Sequence, residues 1–168
     1  MMTNVYWSVL TVNNWEMYLA ATEEGLCYIS SPNRGFNELE DWVMKKIPDA
    51  LLIENTDKLG PYIQEISEYL QRERESFSIP FDLRGTDFQK SVWDASINIP
   101  YGETRTYSEI AEKLKNPKAV RAVGAAIGKN PVLFAIPCHR IVAKNGSLSG
   151  FRAGIDVKKA LIELENEN

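Results

Sequence analysis

The chain has 168 residues, of which 44% are hydrophobic and 25% charged, the balance of a folded globular protein and not of a disordered tail. That length holds one large domain or two small ones, and no apolar run reaches the roughly 18 residues that span a bilayer, so no membrane association is expected. The net charge of −4 argues against a polyanionic partner only until its distribution is read: residues 1–85 carry 14 acids and 7 bases, whereas residues 86–168 carry 9 acids and 12 bases.

The first half alternates strands and helices. Tyr6 to Leu10, Trp15 to Ala20 and Leu26 to Ser30 are short and rich in aromatic and branched residues, and Asn13-Asn14 and Glu24-Gly25 punctuate them. This pattern predicts an antiparallel meander. Phe36, Leu39, Trp42 and Val43 recur at helical spacing in a helix that stops before Pro48. Leu51 to Ile53 suits a further strand. Pro61 to Leu70 reads as a helix with Ile63, Ile66 and Leu70 on one stripe. Phe77, Ile79, Phe81 and Leu83 alternate as in a half-buried strand, and Gly85 marks a domain boundary.

After Gly85 the pattern is helical. Phe88, Val92, Trp93 and Ile97 define a helix that ends before Pro100-Tyr101-Gly102. Thr106 with Glu109 forms a T-x-x-E capping box, followed by Tyr107, Ile110, Ala111 and Leu114 at helical spacing. Asn116-Pro117 then opens a second short helix, with Asn as N-cap and Pro at the first helical position. Two short helices joined by a tight turn are the layout of a helix-turn-helix. Wound at about 100° per residue, the second helix gathers Val120, Val123 and Ile127 on one side and Lys118, Arg121, Ala122 and Ala125 on the other. The outer face is therefore basic and small. Of the long polar side chains that read base edges in the major groove it offers only Arg121 and Lys118, while its alanines permit close approach, so it predicts packing into a narrow groove with little sequence readout. The surrounding residues 104–159 hold only Glu109, Glu112 and Asp156 against 11 Lys and Arg residues, the footprint of a polyanion-binding face.

The chain has two cysteines, Cys27 and Cys138, and one histidine, His139. A closed zinc site needs about four such ligands, so no metal is expected. The N-terminus lacks a basic stretch followed by an apolar one; without a signal peptide, the thiols are expected free in a reducing, cytoplasmic compartment. Cys27 reads as a core residue on a strand. Cys138 differs: it sits in Ala135-Ile136-Pro137-Cys138-His139-Arg140-Ile141-Val142, where the lone imidazole and a guanidinium directly follow a thiol inside an apolar bracket. A nearby base or cation lowers a thiol pKa or removes its proton, and an acid could orient the imidazole. Glu163 and Glu165 are both candidates for that acid. Two other readings fit part of this pattern: a helix-turn-helix regulator with a structural Cys138, and a thiol hydrolase using a Cys-His pair.

From Gly85 to about Glu165 the sequence resembles the O6-alkylguanine-DNA alkyltransferases, the methylated-DNA–protein-cysteine methyltransferase family, in its small bacterial form. The matching pieces are Gly85-Thr86-Asp87-Phe88-Gln89, Ile99-Pro100-Tyr101-Gly102-Glu103-Thr104, Asn116 through Gly124, Asn130-Pro131 and Pro137-Cys138-His139-Arg140. The resemblance implies a ribonuclease-H-like α/β domain over 1–84 (antiparallel sheet plus helices) and a mostly helical, winged-helix-like helix-turn-helix domain over 85–168. It implies stoichiometric, irreversible transfer of an alkyl group from O6-alkylguanine, with O4-alkylthymine left open, to Cys138 after the nucleotide is flipped. His139 would act through a water, and Glu165 matches the relay carboxylate. Tyr107 matches a residue that helps rotate the nucleotide, Arg121 one that fills the vacated stack, and Asn130 one that tethers the recognition helix to the active-site turn. Gly146 to Gly154 matches a loop that closes over the flipped base. Lys118, Ala122, Ala125, Arg140, Gly150, Phe151 and Arg152 join the expected DNA- and base-binding set. Two positions depart from the pattern: Phe151 stands where the family usually has tyrosine, and Arg152 where it usually has a small residue. The implied partner is double-stranded DNA bound through its minor groove by a monomer, without a cofactor; cooperative coating of DNA is left open. All of this requires the Cys138 thiol to lie at the floor of a pocket that an everted purine can enter.

Overall fold

The computed structural model describes residues 2–148 and 150–167. The chain divides into two compact units. One runs to Arg84 and takes in Pro131–Leu133; the other comprises Gly85–Asn130 and the chain from Phe134 onward. The return of Pro131–Leu133 to the first unit leaves no mark in composition: it rests on backbone pairing, with Ile29 N–H donating to the Pro131 carbonyl at 2.9 Å.

The first unit is a four-stranded sheet in the order β3-β2-β1-β4, with β1 Thr3–Val12, β2 Trp15–Thr22, β3 Gly25–Ile29 and β4 Ala50–Glu54. The β1–β2 hairpin turns on Asn13 and Asn14, at φ 52° and 70°, the left-handed pair that a two-residue type I′ turn requires and that asparagine tolerates. The expected antiparallel meander holds for β1 to β3. The sheet as a whole is mixed, because β4 pairs parallel to β1. Helix α1, Phe36–Lys46, supplies the crossover between β3 and that edge. Alternation on β1 sends Val5 and Trp7 into the cluster with Leu39 and Val43 of α1. Ser8, one residue out of phase, instead pairs its hydroxyl with Thr56 at 3.0 Å on α2, Thr56–Leu70. The two helices therefore cover opposite faces of the sheet.

Two expectations for this unit are corrected. Helix α2 begins at Thr56 and not at Pro61: the Asn55 side chain caps it by accepting from Lys58 N–H at 3.0 Å. Pro61 lies inside the helix, where its missing donor costs one bond. The alternating run Phe77 to Leu83 is not a strand. It makes a single bridge, Phe81 to Leu26, and is anchored through Glu65, whose carboxylate accepts from the Ser78 N–H and hydroxyl. Cys27 lies fully buried on β3, its thiol pushed up to about 12 by burial.

The second unit holds α3 Asp87–Ile97, α4 Tyr107–Lys113, α5 Val120–Ile127 and α6 Ile155–Asn166, with two short paired strands, β5 Arg105–Thr106 and β6 Ile141–Val142. Both α3 and α4 carry complete capping boxes, Thr86/Gln89 and Thr106/Glu109. Trp93 is the pivot: it is buried and donates its indole N–H to the Ala126 carbonyl of α5 at 2.9 Å. A Cβ on Gly85 would come within 2.5 Å of that indole, which explains why a glycine stands at the start of this unit. Helix α5 starts three residues later than the sequence suggests. Asn116-Pro117-Lys118 forms the turn, Ala119 is the N-cap, and no side chain caps the helix. Asn116 N–H is drawn back to Ala111 O at 3.0 Å, so this Asn-Pro closes α4 instead of opening α5.

Candidate active site

Four pieces of the second unit converge on Cys138. The first is the turn that carries it. Pro137, at φ −81° and ψ 56°, is the centre of an inverse γ-turn, closed by Cys138 N–H donating to Ile136 O at 2.7 Å. The proline ring presets that φ. Cys138–Arg140 then form one 3-10 turn, and β6 follows directly. Pairing of β6 with β5 brings the start of α4, and so Tyr107, beside the nucleophile turn.

The second piece is Asn130, fully buried just beyond the end of α5. Its side-chain amide donates to Ile136 O at 2.8 Å, so the carbonyl that closes the γ-turn is also held by the end of the helix. The third is Ser96 on α3, whose hydroxyl lies 3.5 Å from Cys138 Sγ. The fourth is α6, which places Lys158, Leu161 and Glu165 on one buried stripe. Glu163 is exposed, so helical phase alone makes Glu165 the acid.

Glu165 is saturated with donors. His139 Nε2 lies 2.6 Å from Oε2. Arg140 binds both carboxylate oxygens through Nε and Nη2 at 2.9 Å each, the two-pronged geometry that gives Arg–carboxylate pairs their strength and direction. Gly102 N–H adds a bond to Oε1 at 3.1 Å. The third arm of the guanidinium donates to Ile99 O at 2.7 Å, and Tyr101 faces the guanidinium at 5.5 Å. Arg140 was expected among the DNA-binding residues; here it is buried and committed to Glu165. Lys158 is buried as well, with its ammonium 5.6 Å from the Tyr107 ring centroid. Neither cation belongs to the exposed basic face counted from sequence.

The electrostatics also differ from the sequence expectation. Cys138 and His139 are both 0% exposed. Burial pushes the Cys138 thiol up to about 12, outweighing the Ser96 hydroxyl, the Lys158 charge and the Asn130 amide, which all pull it down. Burial also holds His139 below its usual value, against the opposing pull of Glu165, and brings Lys158 down to about 8. The resting pair is thus a neutral thiol and a neutral imidazole. The adjacency of Cys, His and Arg suggested a lowered thiol pKa, but desolvation disfavours the charged form by more than these neighbours return.

The remaining expected residues fall in the turn before α5, on the outer face of α5, or in the segment before α6. Lys118, Arg121, Ala122 and Ala125 are all exposed, while Val123 and Ile127 are buried. Gly150 has φ 69°, and a Cβ there would sit 2.9 Å from the Tyr107 hydroxyl. Phe151 is buried and edge-on to the His139 ring, 6.4 Å between centroids. Arg152 donates through Nε to the Asn130 carbonyl at 2.7 Å. Of the loop expected over Gly146 to Gly154, Ser149 lies outside the described residues. Sequence reasoning missed Ser96, Gly102, Ile99 and Lys158. For Lys158 a signal existed: a lysine at i with Leu161 and Glu165 at i+3 and i+7 lies on the stripe that α6 must bury. Among the described residues no group of three His, Cys, Asp or Glu side chains is placed to hold a metal ion.

Comparison with known proteins gives the chain its family. Residues 5–83 match the 6-O-methylguanine DNA methyltransferase ribonuclease-like domain, and residues 87–167 match the DNA binding domain of the same family. The inducible methylated-DNA–protein-cysteine methyltransferase of Bacillus subtilis is 49% identical over 96% of this chain and 90% of its own length. That of Methanosarcina acetivorans is 40% identical over 96% and 98%. Among solved structures, the Mycobacterium tuberculosis O6-methylguanine methyltransferase superposes with a TM-score of 0.82 at 34% identity, covering 96% of this chain and 92% of that one. A structure of the M. tuberculosis OGT in complex with DNA gives 0.79 at 33% identity, covering 95% and 92%. With both domain models matched and relatives of this identity covered over nearly their whole length, the chain belongs to the methylated-DNA–protein-cysteine methyltransferase family.

Proposed function

We propose that this protein repairs O6-alkylguanine in double-stranded DNA by moving the alkyl group, once and irreversibly, onto Cys138 Sγ. The observation that carries this reading is the single 3-10 turn that holds Cys138 and the Glu165-paired His139, tethered by Asn130 to the end of a helix whose exposed face is basic and small. A regulator has no use for such a buried relay beneath its recognition helix.

Helix α5 lies along the minor groove, where Ala122 and Ala125 allow close approach and Lys118 answers the phosphates. The target nucleotide swings out of the stack at a cost of a few kcal/mol, least for a damaged pair. Arg121 enters the space it leaves, offsetting lost stacking with a cation–π contact, and Tyr107 stands where the moving nucleotide passes. Glu165 holds the imidazole as the tautomer protonated at Nε2, so Nδ1 is left to accept the thiol proton through a water. Arg140 keeps Glu165 in place and stays out of DNA contact. The thiolate attacks the alkyl carbon in line: the S–C bond forms as the C–O6 bond breaks, and the electron pair passes to the guanine, which is protonated as it departs. The thioether has no leaving group to release, so each molecule acts once as a monomer, with no cofactor.

The test is to incubate the protein with duplex DNA containing O6-methylguanine and to weigh the peptide carrying Cys138. A gain of one methylene, saturating at one per protein and absent in Cys138→Ala, is expected. Repaired DNA with an unmodified peptide, or repeated turnover, rejects the assignment.

A further inference from the structure

The thiol and the imidazole are both 0% exposed, so a flipped base reaches Sγ only after something above them lifts. The three consecutive residues Gly150, Phe151 and Arg152 pack onto the site in different ways. Gly150 sits against the Tyr107 hydroxyl with no room for a side chain. Phe151 lies edge-on to His139. Both of these are contacts of shape. Arg152 adds a charge-assisted hydrogen bond, Nε to the Asn130 carbonyl at 2.7 Å, across 22 residues of sequence. Asn130 itself is fully buried and is bonded through its amide to Ile136 O, two residues before the nucleophile. The cation also stands beside the C-terminal end of α5, where the helix dipole favours positive charge. One guanidinium thus ties the segment over His139 to the recognition helix and, through Asn130, to the nucleophile turn.

We propose that Arg152 is a latch that holds Phe151 down against His139, beside the sealed Cys138 thiol, and thereby limits the size of group that Cys138 accepts. Small residues at this position, as the sequence pattern of the family would have, make no such bond. A longer alkyl group needs Phe151 to move further than a methyl does, so the latch weighs more heavily against large groups. Arg152 acts through the segment it holds and is a positioning residue. The inference rests on the alkyl-transfer reading above.

The test compares the full-length wild type with Arg152→Ala and Arg152→Lys in single-turnover reactions with the free bases O6-methylguanine and O6-benzylguanine, read as adduct mass at Cys138. Release of one charge-assisted bond predicts a benzyl-to-methyl rate ratio raised about tenfold in Arg152→Ala. Arg152→Lys, which keeps a cation and a donor, raises the ratio by less. If Arg152→Ala does not fold, Arg152→Lys carries the test alone, with a rise still required. Hydrogen exchange at the Gly154 amide, bonded to Phe151 O at 3.0 Å, should quicken in the same order, and this readout does not depend on alkyl transfer. An unchanged ratio in a folded variant overturns the latch. Unaltered exchange at Gly154 also overturns it. A folded wild type that never alkylates Cys138 instead overturns the transfer reading, and exchange then decides the latch separately.

Discussion

The outer face of α5 and the Cys138–Arg140 turn belong to the same unit and are tied together by one side chain, yet opposite physics shapes them. The face is exposed at Arg121, Ala122 and Ala125, as is Lys118 in the turn that leads into it, and in high dielectric these charges act weakly and under the control of salt. The turn is sealed, and the carboxylate at its centre is fully matched: Glu165 receives Arg140 twice, Gly102 and His139. Attraction there is short-ranged and strong, and the cost of a lost partner is high. The division assigns finding DNA to a surface that tolerates change and transferring an alkyl group to a cluster that does not. Three substitutions or titrations should separate the two, from the largest effect to the smallest.

Glu165→Gln should be the most severe. It leaves the Arg140 guanidinium buried without its counter-charge and takes from His139 the group that fixes its tautomer. Breaking a buried pair from one side costs about 3–5 kcal/mol of stability, and removing general-base assistance slows transfer by about 10²–10⁴-fold. Calorimetry and single-turnover rates on the same preparation check both. A variant that loses activity while keeping its melting temperature would show that Arg140 finds another partner, and the picture of a saturated cluster would fail.

Arg121→Ala should have a middling effect that is selective. The residue is exposed, touches none of the relay and should leave the melting temperature in place. Loss of one stacking contact predicts about a tenfold slower reaction with O6-methylguanine in duplex DNA, while reaction with the free base changes little. Equal losses on both substrates would remove the distinction between face and turn.

The same contrast explains what could be read from sequence. The face of α5 follows from its own eight residues, because burial phase on a helix is local: winding the chain put Val123 and Ile127 inside and Arg121 outside, as observed. The cluster depends on partners far along the chain. Arg140 meets Glu165 across 25 residues and Ile99 across 41, and Ser96 meets Cys138 across 42; no periodicity reports such pairings. The thiol pKa was misjudged for the same reason, since it answers to the depth of burial that those distant residues create. Proline misled locally in both units. Pro61 and Pro117 each read as the first residue of a helix, and the observed starts lie five residues before one and three after the other, because side-chain capping by Asn55 and the closure of α4 onto Asn116 outweighed the preference of the ring.

The smallest effect concerns pH and should set the turn apart from a free thiol in solution. A free cysteine ionises near pH 8.5, so an unassisted thiol would react faster as pH climbs from 7 to 9. Here burial raises Cys138 to about 12, so the thiol stays almost wholly protonated over that interval, and when the proton passes from this neutral thiol to a neutral His139 the rate does not follow the titration of the thiol. The pKa of His139 is lowered, first by burial, with Glu165 opposing. A lowered base stays neutral, and able to accept a proton, down through its ordinary pKa of about 6.5. Transfer from a free O6-alkylguanine base, which avoids any effect of pH on DNA binding, should therefore be level from below the point where Lys158 loses its charge, about 8, down to about pH 6.5, and fall only in more acid solution. A rate that climbs with the titration of a free thiol would mean that Cys138 meets water at rest, and the sealed relay would give way to an open, self-ionising nucleophile.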